Sequence, residues 1–224
     1  MNYDLTDNIV TLSFDDGKAN VMGPDLLGEI NAGLDRALED KAGAVILRGR
    51  DGMFSAGFDL KEFEKGVETG LVMVHQGFEL LIRLYSFPLP LVAACTGHGI
   101  AMGAFIIMCC DMRIGVRGNF KMSLPETRIS MDLPPLLSEL AASRISRQHM
   151  TRVALLSEVY NPDQAVEAGF LDELVEPDEL TARTTTVAAE LAQLPQQQFA
   201  ANKLAIRANT LQVMRNSLEQ HKKG

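Results

Sequence analysis

The chain has 224 residues, enough for one domain with a sizeable core, and its 46% hydrophobic and 22% charged residues are an ordinary globular balance. Its 21 basic and 29 acidic residues leave a formal charge of −8, which excludes general nucleic-acid binding, because that requires a basic surface to neutralise phosphates. No apolar run reaches the length of a membrane span; residues 89–110 come nearest and are interrupted by Pro90, Gly97, His98, Gly99 and Gly103.

Met1-Asn2-Tyr3-Asp4 lacks the basic and apolar regions of a secretory signal. Cys95, Cys109 and Cys110 all stand in apolar surroundings, which predicts reduced core thiols and a cytoplasmic protein. Residues 9–14 alternate apolar and polar, as a half-buried strand does. A turn-rich stretch, residues 15–20, follows. Leu26, Leu27, Ile30, Leu34, Ala37 and Leu38 then recur at helical spacing and predict a helix. Residues 44–47 predict a short buried strand, and residues 71–85 a second helix. Pro88 and Pro90 punctuate the chain before a strand at residues 91–94. Residues 103–110 read as a short, nearly all-apolar buried helix, and residues 112–116 as another strand. From Pro134 onward the pattern is mostly helical, with Pro162 and Pro177 suited to helix starts. Strands alternating with helices, then helices alone, predict an α/β core with a helical C-terminal region in a single domain. The boundary between the two parts is set at residues 133 and 134.

Two small-residue turns punctuate this pattern: Phe54-Ser55-Ala56-Gly57-Phe58-Asp59-Leu60 and Thr96-Gly97-His98-Gly99-Ile100-Ala101-Met102-Gly103-Ala104. Each follows a predicted strand and leads towards a helix, so each can present free backbone N–H groups to a substrate oxygen. Downstream, Ser123-Leu124-Pro125-Glu126-Thr127 supplies a carboxylate. Two oxygen-holding turns and one carboxylate suit proton transfer beside a carbonyl. The second turn departs from G-x-G-x-x-G at Met102, and no ribose acid follows, so a dinucleotide site is rejected. Ser55 lacks the G-x-S-x-G context of a nucleophile. His75, His98, His149 and His221 are scattered and C-x-x-C is absent, so no metal site is expected.

In order and wording these segments resemble the crotonase (enoyl-CoA hydratase/isomerase) superfamily, from about residue 9 to about residue 209. The resemblance implies a spiral of ββα units, an acyl-CoA thioester as substrate with coenzyme A as part of it, no separate cofactor, and a homotrimer or hexamer. Lys18 and Ala19 fall in the family's loop near the coenzyme A pantetheine and phosphates. The first turn matches its phenylalanine-x-alanine-glycine-x-aspartate segment, which makes Ala56 N–H the first oxyanion donor and Ser55, Gly57, Phe58, Asp59 and Leu60 substrate-binding neighbours. Aligning on Cys110-Asp111 makes Met102 N–H the second donor, with Gly103 and Phe105 beside the substrate. Ala165 to Leu174 also resembles a family segment.

Two departures carry information. Family hydratases have a glutamate where this chain has Phe105, and a glycine-rich run where it has Ile129-Ser130-Met131-Asp132-Leu133-Pro134-Pro135. Adding water to a double bond is helped by two carboxylates; moving the double bond needs one. Glu126 alone therefore predicts an isomerase of the Δ3-Δ2-enoyl-CoA type. Asp132 is either a second acid, which would allow hydratase or lyase chemistry, or a loop residue. A silent protein that only binds CoA thioesters is the alternative of a different class.

Overall fold

The computed structural model describes residues 1–221. A six-stranded sheet carries β1 (Asn2–Thr6), β2 (Ile9–Ser13), β3 (Ala44–Arg48), β5 (Leu91–Cys95), β7 (Met112–Val116) and β9 (Glu173–Val175) in that spatial order. A second sheet holds β4 (Gly52–Ser55), β6 (Gly97–Ile100) and β8 (Met122–Ser123). Consecutive strands thus go to alternate sheets, β3 then β4, β5 then β6, β7 then β8. The helices α2 (Leu60–Glu64) and α3 (Val67–Tyr85) follow the first of these pairs, and α4 (Met102–Cys109) follows the second. This is the ββα spiral, in which the strand pairings from β2 to β9 are parallel, whereas the β1–β2 hairpin is antiparallel.

The large sheet is covered on both faces, which is why β3 and β5 are nearly continuous apolar runs. One face meets α1 (Pro24–Glu39), α3 and α4 in the main core. On the other, Ile46, Val92 and Ile114 pack against Leu180, Val187 and Ala188 of α8 (Leu180–Ala192). β4 and β6 approach so closely that a Cβ on Gly97 would lie 2.1 Å from the carbonyl carbon of Gly52. Only glycine permits that contact.

After residue 133 come α5 (Pro135–Ala142), α6 (Arg147–Met150) running into a π-helical turn at Thr151–Leu155, α7 (Pro162–Ala168), α8 and α9 (Gln196–His221). This part is helical with one exception. β9 returns to the large sheet beside β7, so the C-terminal region completes the sheet as well as covering it. Pro162 is the first residue of α7, behind an Asn161–Gln164 capping box. Pro177 instead lies in the turn before α8, which starts at Leu180. The three cysteines are buried and free, and burial pushes the Cys95 and Cys109 thiols up to about 12. Among the described residues no helix is long and apolar enough to cross a membrane.

Candidate active site

A cavity of about 840 Å³ opens between the two small-residue turns, the segment after β8, and helices α3 and α5. Ala56, Phe58, Asp59, Leu60, Met102, Phe105, Glu126 and Asp132 all line it. Residues spread over nearly eighty positions of sequence therefore meet in one place.

The turn after β4 is fixed by backbone bonds. Ala56 N–H donates to Ala19 O at 3.0 Å, and Gly57 N–H donates to the Ser55 hydroxyl at 3.2 Å. Met22 N–H donates to Gly57 O, and Asp59 N–H to Met22 O. The expectation that Ala56 supplies an oxyanion donor is thereby corrected, because its N–H is spent inside the fold. Between Ala56 and Asp59, among the described residues, Phe58 N–H is the one left without an acceptor. Gly57 accounts for the displacement by two residues. Its φ of +104° reverses the chain there, a conformation that suits glycine.

The second turn ends at Ala101, whose φ of +50° and ψ of −124° are costly for a residue with a Cβ, by about 1–3 kcal/mol. Met102 begins α4. The first N–H groups of a helix have no acceptor within it, and among the described residues Met102 N–H finds none outside. The two turns abut: a Cβ on Gly57 would lie 3.0 Å from Ala101 Cβ and 3.5 Å from Met102 N. Gly103 has the same tight role from the other side, since a Cβ there would lie 2.5 Å from Ser55 O. The Phe58 and Met102 amides therefore stand on neighbouring backbone at the cavity wall. The helix α4 adds the positive end of its dipole at Met102.

Glu126 opens a single 3-10 turn, Glu126–Ile129, directly after Pro125. The turn is held by Met131 N–H donating to Glu126 O at 2.8 Å and by Thr127 Oγ1 donating to Ala154 O at 3.3 Å. Glu126 is only 5% exposed, and its Oε2 has no hydrogen-bond partner. Burial raises its carboxyl pKa to about 7, opposed by a bond to its own backbone N–H. Phe105, one helical turn beyond Met102, is 1% exposed and contributes an apolar wall to the same cavity. Asp132 is exposed at the rim. Glu126 is thus the buried carboxylate of this cavity.

Other expected site residues lie around it. Ser55 is fully buried behind the turn, where its hydroxyl holds Gly57. Lys18 and Ala19 do not line the cavity; Val21, two residues on, does. Lys18 is exposed, with its N–H on Asp16 and its carbonyl accepting from Arg50 Nε at 2.7 Å. Of two further basic residues, Lys61 stands exposed at the rim, whereas Arg48 is bonded to Asp51 and Thr181. His98 is a turn residue whose Nδ1 accepts from Lys121 N–H. Sequence reasoning missed the Phe58 amide and the far wall, made by Leu71, Val74 and Phe78 of α3, Leu137 of α5 and His221 of α9.

Residues 4–223 match the family described as Enoyl-CoA hydratase/isomerase. The chain belongs to that family. Its fold is the crotonase fold: an enoyl-CoA isomerase of Mycobacterium tuberculosis superposes with a TM-score of 0.94 at 36% identity, over 99% of this chain and 97% of that one. Mitochondrial enoyl-CoA delta isomerase 1 of Rattus norvegicus is 26% identical over 191 residues, 84% of this chain and 66% of that protein. A probable enoyl-CoA hydratase of Bacillus subtilis is 33% identical over 127 residues, 55% of this chain and 48% of that protein. The chain spans about half to two thirds of the length of these curated relatives. The relatives carry both names, isomerase and hydratase.

Proposed function

We propose that this enoyl-CoA hydratase/isomerase family member moves a carbon–carbon double bond in an enoyl-CoA thioester, with Glu126 as the single proton carrier. The observation that carries the reading is the pairing of Glu126 with Phe105. Glu126 is a buried carboxylate with a free oxygen, and the wall that would hold a second acid is apolar.

The thioester carbonyl oxygen is held by the N–H groups of Phe58 and Met102, which need no reorganisation when charge develops there. Glu126 takes a proton from the carbon beside the carbonyl. The resulting dienolate spreads its charge onto the held oxygen, and Glu126 returns the proton two carbons further along. The double bond shifts from the 3,4 to the 2,3 position, with no water consumed and no net redox change. A carboxyl with pKa near 7 is matched to this work, since it is ionised enough to accept the proton and acidic enough to give it back. Coenzyme A enters as part of the substrate, with the loop around Lys18, Ala19 and Val21 next to its pantetheine arm. The reaction draws on no metal or nicotinamide.

One observation favours a second reading. Asp132 lines the same cavity, and a water held between it and Glu126 would give a hydratase. The test is to incubate the protein with trans-3-enoyl-CoA and, separately, trans-2-enoyl-CoA, and to identify products by mass and retention. Migration of the double bond without hydration is expected; efficient hydration with no migration would replace the first reading by the second.

A further inference from the structure

The cavity has an open end and a closed end, and burial tells them apart. Leu60 is 67% exposed and Lys61 is also exposed, so α2 marks the mouth. Leu71 at the start of α3 is 49% exposed, whereas Val74 and Phe78 further along α3 and Leu137 of α5 are buried, so these three make the deep end. The wall there is completed from a distant part of the chain. His221 is, among the described residues, the α9 residue that reaches the cavity. Its ring lies parallel to that of His75, with centroids 6.2 Å apart and planes 9° apart, and tilts over Phe78 at 5.5 Å. His75 is held in turn by Glu79, with Nε2 to Oε1 at 3.1 Å. One turn earlier on α9, the Ser217 hydroxyl accepts Leu136 N–H at 3.2 Å, which ties this end of the helix to the start of α5. His221 is half-buried and lines the cavity.

We propose that His221 is a specificity-determining residue: it closes the deep end of the cavity and sets the longest acyl chain that fits. This rests on the acyl-CoA reading above. A hydrocarbon tail running from the carbonyl past Glu126 meets Val74, Phe78 and Leu137, and then the imidazole. Each methylene laid on the apolar wall adds to affinity; the first one beyond it must displace His221 or stay in water. Because α9 contributes this one side chain to the wall, trimming it opens the end without disturbing Phe58, Met102 or Glu126.

The experiment measures binding of saturated acyl-CoAs, in two-carbon steps from butanoyl to hexadecanoyl, to the parent, His221→Ala and His221→Trp. For the parent, affinity should rise by roughly fourfold per methylene and then level off. The break should move to longer chains by at least one two-carbon step in His221→Ala and to shorter ones in His221→Trp. The same break in all three proteins overturns the proposal. Because saturated ligands cannot react, the result stands apart from the isomerase assignment: a moving break with full activity in Glu126→Gln would sink the proposed chemistry and leave His221 in its role. Absence of binding at every length would overturn both the acyl-CoA reading and this one.

Discussion

Asp111 and Glu126 are two carboxylates withdrawn from water, fifteen residues apart in sequence, and their surroundings differ throughout. Asp111 is embraced: Arg207 donates to Oδ1 at 2.8 Å, and Lys203 and the Leu91 N–H donate to Oδ2 at 2.7 and 2.8 Å. The two cations also close off backbone. Lys203 reaches Leu89 O, and Arg207 reaches Tyr85 O and Cys109 O, the ends of α3 and α4. The cluster therefore fastens α9 to the helix ends beneath it, where cations also suit the negative ends of the dipoles. Glu126 has none of this. One of its oxygens faces an apolar cavity without a partner, and its charged form is disfavoured as a result. Loss of water alone does not decide what a buried carboxylate does; its partners do. Fully bonded, it is an anchor. Left with a free oxygen beside two free backbone N–H groups, it suits the base of the proposed reaction.

The largest effect expected from breaking this contrast is on chemistry. Glu126→Gln keeps the shape of the side chain and removes the base. Double-bond migration should fall by a factor on the order of 10²–10⁴, while acyl-CoA binding persists because the Phe58 and Met102 amides are untouched. Steady-state rates paired with a binding titration check this, and undiminished migration would remove Glu126 from the mechanism.

Asp111→Ala breaks the other side of the comparison. It strands Lys203 and Arg207, which are 6% and 8% exposed, as buried cations without their counter-charge. Removing one partner from such a cluster costs about 3–5 kcal/mol, read as a lower urea midpoint at unchanged slope. The turnover of the protein that remains folded should be close to that of the parent, since the cluster lies outside the cavity. A loss of turnover matched by no loss of stability would contradict the anchor role.

The raised pKa of Glu126 makes this carboxylate's share of the stability depend on pH. In the folded chain the carboxyl holds its proton up to about pH 7, against an ordinary value of 4.5. Its stability contribution is therefore fully present below the unfolded value and is lost as pH rises through about 7. Glu126→Gln should accordingly stabilise the protein more at about pH 8 than at about pH 5, by on the order of 2 kcal/mol, measured by urea unfolding at both values. The catalytic sign is opposite: kcat/KM should climb through about pH 7 as the carboxylate forms. A variant whose gain does not change with pH would show that Glu126 is solvated in the folded state.

How much of this was legible beforehand follows the range of the interactions. β2, β3, β5, β7, α1 and α3 carry their own periodicity or apolar runs and are readable locally. β1 is almost wholly exposed, and its sequence, Asn-Tyr-Asp-Leu-Thr, shows little of its pairing to β2. β4, β6 and β8 are two to four residues long and rich in small residues, so they exist because a neighbouring strand is there. At the site, Glu126, Met102 and Phe105 were reachable from the wording of their segments. The Phe58 amide was not, because the direction of an N–H depends on the dihedrals before it. The pairing of Ala56 with Ala19 O is likewise a contact between separate loops. Nothing in α9 itself indicates that His221 ends beside Phe78; that follows from how α9 crosses α3 and α5.

The smallest effect concerns Asp132, and it sharpens the choice between reactions. Asp132 shares the cavity with Glu126 but stands in the water at its rim. An isomerase that carries one proton on one carboxylate has no task for it. Asp132→Asn should then change double-bond migration by no more than about threefold, the scale of a rim charge acting through solvent. A hydratase would need Asp132 to hold the attacking water opposite Glu126, and the same substitution would cut water addition by on the order of 10² or more. The assay is the pair of rates, migration from a 3-enoyl-CoA and hydration of a 2-enoyl-CoA, in parent and variant. Equal small changes in both leave Glu126 as the one working carboxylate; selective loss of hydration would make Asp132 its partner and turn the exposed acid into the second half of the site.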